Sequence, residues 1–166
     1  GDRDRPRYNL SLHELDGERD AVAAAQAQRG DAALAAAILE RVEQRREDAR
    51  ARRADRVAVL LPNGVALIEL YRAAATLGLG LVPLSPLLQP AGLAALLRDA
   101  RPAALAWHAS LRSVVDAVRA EVPSIPAPNW IAVGGDGGPG DPRYHELLAA
   151  APADPVAVAP VDEQDL

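Results

Sequence analysis

The sequence predicts an α/β fold: a doubly wound, mainly parallel sheet of about four strands with helices on both faces, preceded by an N-terminal helical hairpin. Three observations carry this expectation. Four short apolar runs, at 57–61, 81–84, 103–107 and 130–133, lack the in–out alternation of a half-exposed antiparallel sheet, so each strand is expected to be buried on both faces. A helix-length segment separates each run from the next, the signature of repeated β–α–β units. Finally, Asp55–Pro86, DRVAVLLPNGVALIELYRAAATLGLGLVPLSP, reads as a complete strand–helix–strand crossover, a connection that is right-handed in nearly all sheets.

Composition narrows the class. The 166 residues are enough for one domain with an appendage. Apolar residues make up 49% of them, mostly Ala, Leu and Val, while Phe, Met and Cys are absent. Without cysteine there is no disulfide, no thiolate metal site and no thiol nucleophile. All 18 basic residues are Arg, a bias that fits a GC-rich genome better than a function. A net charge of −5 argues against nucleic acid as a partner, because phosphate binding needs a clearly positive face. No apolar run approaches the roughly 20 residues of a membrane span, and no signal peptide is visible. A cytoplasmic location is therefore expected. The first residue is Gly rather than Met, so the chain reads as a piece of a longer or processed protein.

Taken in order, residues 1–9 form a charged arm. Ser11 and Glu14 make an S-x-x-E capping box, in which each side chain bonds the other's backbone N–H, so a helix is expected from Leu12 to about Gln28, with Gly30 behind it as a stop. Asp31 caps a second helix across 31–53. Its apolar stripe is narrow, Leu34, Ala35, Ile38, Leu39 and Val42, and from Glu43 onward it is nearly all charge. The Glu43–Arg46, Glu47–Arg50 and Asp48–Arg52 pairs contribute only about 0.2–0.5 kcal/mol each, and like-charge pairs offset part of that. An isolated helix of this kind is marginal in water, so its first half is expected to pack on something. The short turn at Arg29–Asp31 favours an antiparallel hairpin with the helix at 12–28, with the charged half projecting. Leu34, Ile38, Leu39 and Val42 are then the partner-docking candidates, for a second copy of the chain or for another protein.

The first strand, 57–61, is closed by Pro62, which has no N–H for the ladder. Asn63 is the expected N-cap of the next helix. Its apolar stripe is read as Val65, Ile68, Tyr71 and Ala75, widened by Leu67, Leu70 and Ala74, and Gly78 is its expected left-handed stop. After the second strand, Gln89-Pro90-Ala91 opens a helix with Leu93, Leu96 and Leu97 inward, and Arg101-Pro102 ends it. A third strand leads to a helix from Ser110 with Val114, Val115 and Val118 inward. Pro123, Pro126 and Pro128 make a rigid connector into the fourth strand. Gly134–Pro142 is a flexible loop, Tyr144–Ala151 a short helix, and 152–166 a Pro-rich acidic tail. The organisation is thus arm 1–9, helical segment 10–54, α/β unit 55–151 and tail 152–166.

Candidate chemistry is sparse. Gly78-Leu79-Gly80 follows a helix rather than a strand and lacks a third glycine at the right spacing, so it reads as a helix stop. The loop GGDGGPGDP carries no Lys, Ser or Thr and fails as a phosphate-binding P-loop. His13, His108 and His145 stand singly, so no metal site is expected, and no Ser/His/Asp set can be assembled. His108 is the best placed, because it follows the third strand and ligands of open α/β sheets bind outside the carboxyl ends of strands. In His108-Ala109-Ser110-Leu111-Arg112, the hydroxyl, nearby N–H groups and the guanidinium of Arg112 could meet an anion at a helix start. The alternative is a helix cap beside a surface arginine.

The order of pieces also carries a resemblance. DRVAVLLPNG, a helix, then LGLGLVPLSP is similar to the N-terminal domain of the adenylate-forming (AMP-binding) enzymes, which include acyl-CoA and aryl-CoA ligases, peptide-synthetase adenylation domains and luciferases. Leu10-Ser11-Leu12-His13-Glu14-Leu15 resembles that family's entry motif, with Leu12 where the family has Tyr. The likeness covers roughly residues 8–166, interrupted by the extra helix at 31–53. It implies a parent reaction in two steps, carboxylate plus ATP to acyl-adenylate and then transfer to a thiol, with ATP, Mg and coenzyme A as the family's cofactors. The PLSP-type second strand and the long acidic connector resemble the acyl-CoA ligases more than the peptide synthetases. The family's Ser/Thr/Gly-rich phosphate loop, which ends in Pro-Lys-Gly, is expected just after a segment such as Val161–Leu166. The chain contains no Lys at all, so neither that loop nor the family's catalytic lysine lies within it. No catalytic residue is assigned, no cofactor is expected for these residues alone, and the chain reads as an acyl-CoA ligase-like fragment that is not competent by itself. The alternatives are a stand-alone interaction module that docks a partner through 31–53, and a small nucleotide-binding α/β domain.

Overall fold

The structure, a computed structural model, describes residues 37–38, 56–135 and 137–151. Four strands, β1 (Arg56–Leu60), β2 (Gly80–Pro83), β3 (Ala104–His108) and β4 (Trp130–Val133), form one sheet. All are parallel, in the order β2-β1-β3-β4. Each lies within one residue of its predicted span. Four helices alternate with them: α1 (Val65–Leu77), α2 (Pro90–Ala100), α3 (Arg112–Arg119) and α4 (Tyr144–Ala150).

The order of the strands dictates the layers. From β1 the chain steps to β2 on one side, then returns across β1 to β3 and continues outward to β4. Right-handed crossovers in opposite directions must pass over opposite faces. Accordingly, Leu70 and Ala73 of α1 and Tyr144 of α4 pack with Val57, Val59, Ala104, Ala106, Ile131 and Val133. On the other face, Leu93 and Leu97 of α2 and Val115 and Val118 of α3 pack with Ala58, Leu60, Leu105, Trp107 and Trp130. Successive strand residues thus feed different layers, yet both layers are apolar, which is why the sequence shows no alternation. Glu69 of α1 is buried, and the Tyr144 hydroxyl donates to its carboxylate. That bond joins the two helices of one layer and gives a buried polar side chain a partner.

Helix ends follow the chain's punctuation, with one correction. Gly78 adopts φ 65° and closes α1 with its N–H on Ala74 and Ala75 carbonyls, as its position predicts. Pro90 occupies the first turn of α2, where its missing N–H costs nothing. The N-cap of α1, however, is Gly64 rather than Asn63, and no side chain bonds the helix start.

The apolar face of α1 is also displaced from expectation. Val65, Ile68 and Tyr71 are 57%, 62% and 47% exposed, while Leu70, Ala73 and Ala74 are buried. Both sets have helical spacing. The sheet takes the side that carries Leu70 and Ala73, which pack with Val57 and Val59. Leu96 of α2 is likewise outside, at 44% exposure, with Leu93 and Leu97 inside.

Of the N-terminal segment, Ala37 and Ile38 are described and helical; the rest of the expected hairpin, the arm and the tail from 152 to 166 lie outside the described residues. Ile38 is 2% exposed and belongs to the cluster formed by Val57, Val59, Leu70 and Ala73. That corrects its reading as a docking residue, since a side chain already covered within the α/β core offers nothing to a partner. Leu34, Leu39 and Val42 lie outside the described residues.

Candidate functional site

In a doubly wound sheet a crevice opens where two neighbouring strands send their connections in opposite directions, at their carboxyl ends. Here those strands are β1 and β3. Their register sets Leu60 beside Trp107, so Leu61–Gly64 and His108–Leu111 leave the sheet as neighbours. β3 and β4 pair up to His108 and Val133, so Gly134 emerges next to His108.

The three candidate residues fall in this edge. His108 ends β3 and is half-buried; a 3₁₀ turn, Ala109–Leu111, links it to α3. His108, not Ser110, is the cap: its Nδ1 accepts the Ser110 backbone N–H at 3.3 Å. An Nδ1 that accepts cannot carry a proton, so the neutral ring is the Nε2–H tautomer. The Ser110 Oγ, 2.7 Å from the same Nδ1, then donates its hydroxyl hydrogen there. The imidazole is held from one side by the residue two positions on.

Its other side is fixed by a glycine. Gly134 has φ +73°, and a Cβ built there would lie 2.6 Å from His108 Nε2. Only glycine meets both conditions. Gly134→Ala is therefore expected to cost about 1–2 kcal/mol through the left-handed backbone alone, and more through displacement of the ring. Urea unfolding and the His108 imidazole resonances read the two effects. An unchanged midpoint with unmoved resonances would contradict this packing.

Arg112 opens α3. Its Nε donates to Asp116 at 3.4 Å and its Nη1 to the Gly137 carbonyl at 3.2 Å. Two of its three nitrogens therefore serve the chain itself. The expected anion contact would have to rest on Nη2, without the two-pronged grip that makes arginine a good phosphate ligand.

The glycine-rich segment is fastened rather than loose. Asp141, with a side chain 2% exposed, receives Arg119 Nη1 at 2.6 Å and Nη2 at 2.8 Å. Its Oδ2 also accepts the Gly138 N–H at 2.9 Å. Arg119 lies over the Trp130 ring, 4.7 Å from its centroid, and Trp130 Nε1 donates to the Ile125 carbonyl. Sequence reading missed this clamp. Its only signal was an Asp in a Gly- and Pro-rich stretch, which pattern rules assign to a turn. Asn129 was also missed: it is buried, and its amide donates to the Ala103 carbonyl at 2.8 Å, tying the connector before β4 to the start of β3.

The arrangement offers a half-buried imidazole, a hydroxyl and one guanidinium nitrogen at the carboxyl edge, beside a segment tied down through Asp141. His108 and Ser110 touch, whereas the contacts of Arg112 run to Asp116 and Gly137. Among the described residues no group of three or more His, Asp or Glu is arranged to hold a metal ion, and no helix is long and apolar enough to cross a membrane.

Comparison with known proteins gives three findings. The model of the AMP-binding enzyme family matches residues 36–166. No curated protein matches the chain. Solved structures do. An anthranilate CoA ligase superposes with a TM-score of 0.70 at 17% identity over 84% of this chain and 25% of its own. A long-chain-fatty-acid–CoA ligase from Archaeoglobus fulgidus gives 0.67 at 19% identity, with 84% and 25% covered. The N-terminal domain of FACL13 from Mycobacterium tuberculosis gives 0.59 at 28% identity, with 83% and 30% covered. The first two show the shared fold. The chain spans about a quarter of the length of those two ligases.

Proposed function

Because the chain belongs to the AMP-binding enzyme family, we propose that it forms the amino-terminal portion of an acyl-CoA ligase-type enzyme and is not competent alone. The family match over 36–166 carries the reading, and the CoA ligases among the structures of like fold support it. The parent reaction is ATP-dependent activation of a carboxylate as its adenylate, followed by thioester formation with a thiol such as coenzyme A.

The residues present do not fit the nucleotide's phosphates. The chain has no lysine, the Gly134–Pro142 loop has no Ser, Thr or Lys, and Arg112 is mostly committed to Asp116 and Gly137. We therefore derive no step through ATP, magnesium or coenzyme A from these residues. The contribution of this portion is the parallel sheet and the fastened carboxyl edge on which such a site is assembled.

Two measurements test this. Pyrophosphate exchange and thioester formation by the 166-residue chain, with a panel of fatty and aromatic acids, are expected to stay at background; turnover above background overturns the claim of incompetence. The genomic sequence after codon 166 is expected to continue in frame into a Thr/Ser/Gly-rich loop ending in Pro-Lys-Gly. A stop codon there overturns the assignment as a portion of a longer ligase.

A further inference from the structure

We infer that Ser110 is a nucleophile with His108 as its base, and that the pair takes up the acyl group of an activated carboxylic ester. Ser110 Oγ lies 2.7 Å from His108 Nδ1. That nitrogen carries a lone pair and no proton, because it also accepts the Ser110 backbone N–H. A hydroxyl within hydrogen-bond reach of a neutral imidazole is activated for attack when a further group holds the base in position.

Three observations set this pair apart from a plain helix cap. The first is that the cap is complete without the hydroxyl. The backbone N–H already meets Nδ1 at 3.3 Å, and the hydroxyl adds a second, shorter bond to the same lone pair.

The second is that the ring is held from outside its own turn. A Cβ at Gly134 would lie 2.6 Å from Nε2 and 3.0 Å from Cδ2 of His108. The end of β4 therefore stands against the far edge of the imidazole and keeps Nδ1 directed at the serine.

The third is access. Ser110 is exposed while His108 is half-buried, so an ester reaches the hydroxyl from solvent with the base behind it. Both residues follow β3 at the carboxyl edge, where ligands of such sheets bind.

The chemistry balances within the pair. Nδ1 takes the hydroxyl proton as Oγ bonds to the carbonyl carbon. The bond from that carbon to the leaving oxygen then breaks, and the imidazolium gives its proton to the departing alcohol. Ser110 is left as an ester. Water, deprotonated by the same Nδ1, attacks that ester, releases the acid and restores the hydroxyl. In both halves negative charge gathers on the carbonyl oxygen. The eight-residue α3 starts at Arg112, two positions after Ser110, and the amino end of a helix favours such charge. No lysine, metal or nucleotide enters, so the reaction is independent of the proposed ligase role.

A fluorophosphonate tests the nucleophile, since Oγ displaces fluoride from its phosphorus and stays attached. The 166-residue chain is labelled and the modified peptide identified by mass spectrometry. Ser110 is expected to react at least tenfold faster than Ser85 or Ser113, which are also exposed. His108→Asn separates base from cap, because the Asn amide oxygen accepts the same N–H but does not take up a proton. It is expected to slow labelling of Ser110 about 100-fold, with far-UV circular dichroism unchanged. Ser113→Ala is expected to label at the wild-type rate. With para-nitrophenyl acetate, a burst of nitrophenolate is expected together with an acetyl group on Ser110. Labelling of Ser110 no faster than that of Ser85 would overturn the inference on the wild-type chain alone, whatever the variants do. Undiminished labelling in a folded His108→Asn protein would reduce the pair to a cap and overturn it, and so would an acetyl group found on His108 instead of Ser110.

Discussion

Val59→Asp is expected to leave the α/β sheet unfolded at 25 °C. Val59 is 1% exposed and lies in β1, which is paired on both edges, setting it beside Pro83 on one side and Ala106 on the other. Its side chain enters the layer shared with Leu70, Ala73 and Tyr144. An aspartate there either ionises without a partner or takes up a proton, and in real proteins either outcome costs several kcal/mol. Domains of this size are stable by only about 5–15 kcal/mol. Val59→Ala separates charge from volume, since removing methyl groups from a core costs about 2 kcal/mol and leaves the fold intact. Far-UV circular dichroism and urea titration of the three proteins make the comparison. A Val59→Asp protein that melts like wild type would show that this strand is not the centre of the sheet.

Removing Asp141 is expected to have the next largest effect. Its carboxylate receives two guanidinium nitrogens and one backbone N–H from within the fold. Asp141→Ala strands Arg119 over Trp130 and leaves the Gly138 N–H unmade, and breaking a buried pair from one side costs about 3–5 kcal/mol. The pair itself is weaker evidence of stability than its bonds suggest, because both charges were drawn from water to form it. Arg119→Met with Asp141→Leu is therefore expected to be more stable than Asp141→Ala alone. Equilibrium unfolding of Arg119→Met, Asp141→Leu and the double closes the cycle. Strict additivity would show that the two side chains do not interact as the geometry requires.

Much of this fold was legible because parallel strands covered on both faces are written as unbroken apolar runs, and Val57–Leu61 and Trp130–Val133 admit little else. Boundaries were marked by residues with one physical meaning each, Gly78 by its left-handed backbone and Pro90 by its missing N–H. The inward side of α1 was not legible. Val65, Ile68 and Tyr71 are as apolar as Leu70, Ala73 and Ala74, and a helix that is apolar nearly all round gives no direction. Strand order was not legible either, since local periodicity names elements without saying which neighbours they choose. At the carboxyl edge, His108, Ser110 and Arg112 were singled out because strand ends are where such sheets bind ligands. Gly134 and Asp141 were not, because their roles depend on contacts with His108 and Arg119 from other parts of the chain.

The position of β1 between β2 and β3 has a kinetic consequence. Its partner β3 is reached only after α1, β2 and α2 have been laid down, with Val57 set beside Ala104. No hairpin or other short-range pairing exists among the four strands to begin the sheet. Every ladder must be closed across a loop that contains at least one helix, so entropy is lost before any bond is gained. Folding is then expected to be slow for a domain of this size, and β1 keeps an open edge until β3 is in place. Until then, Val57–Leu61 is an uncovered apolar strand and the chain's most aggregation-prone stretch. A nascent chain would need to shield that stretch for as long as β3 is still being synthesised.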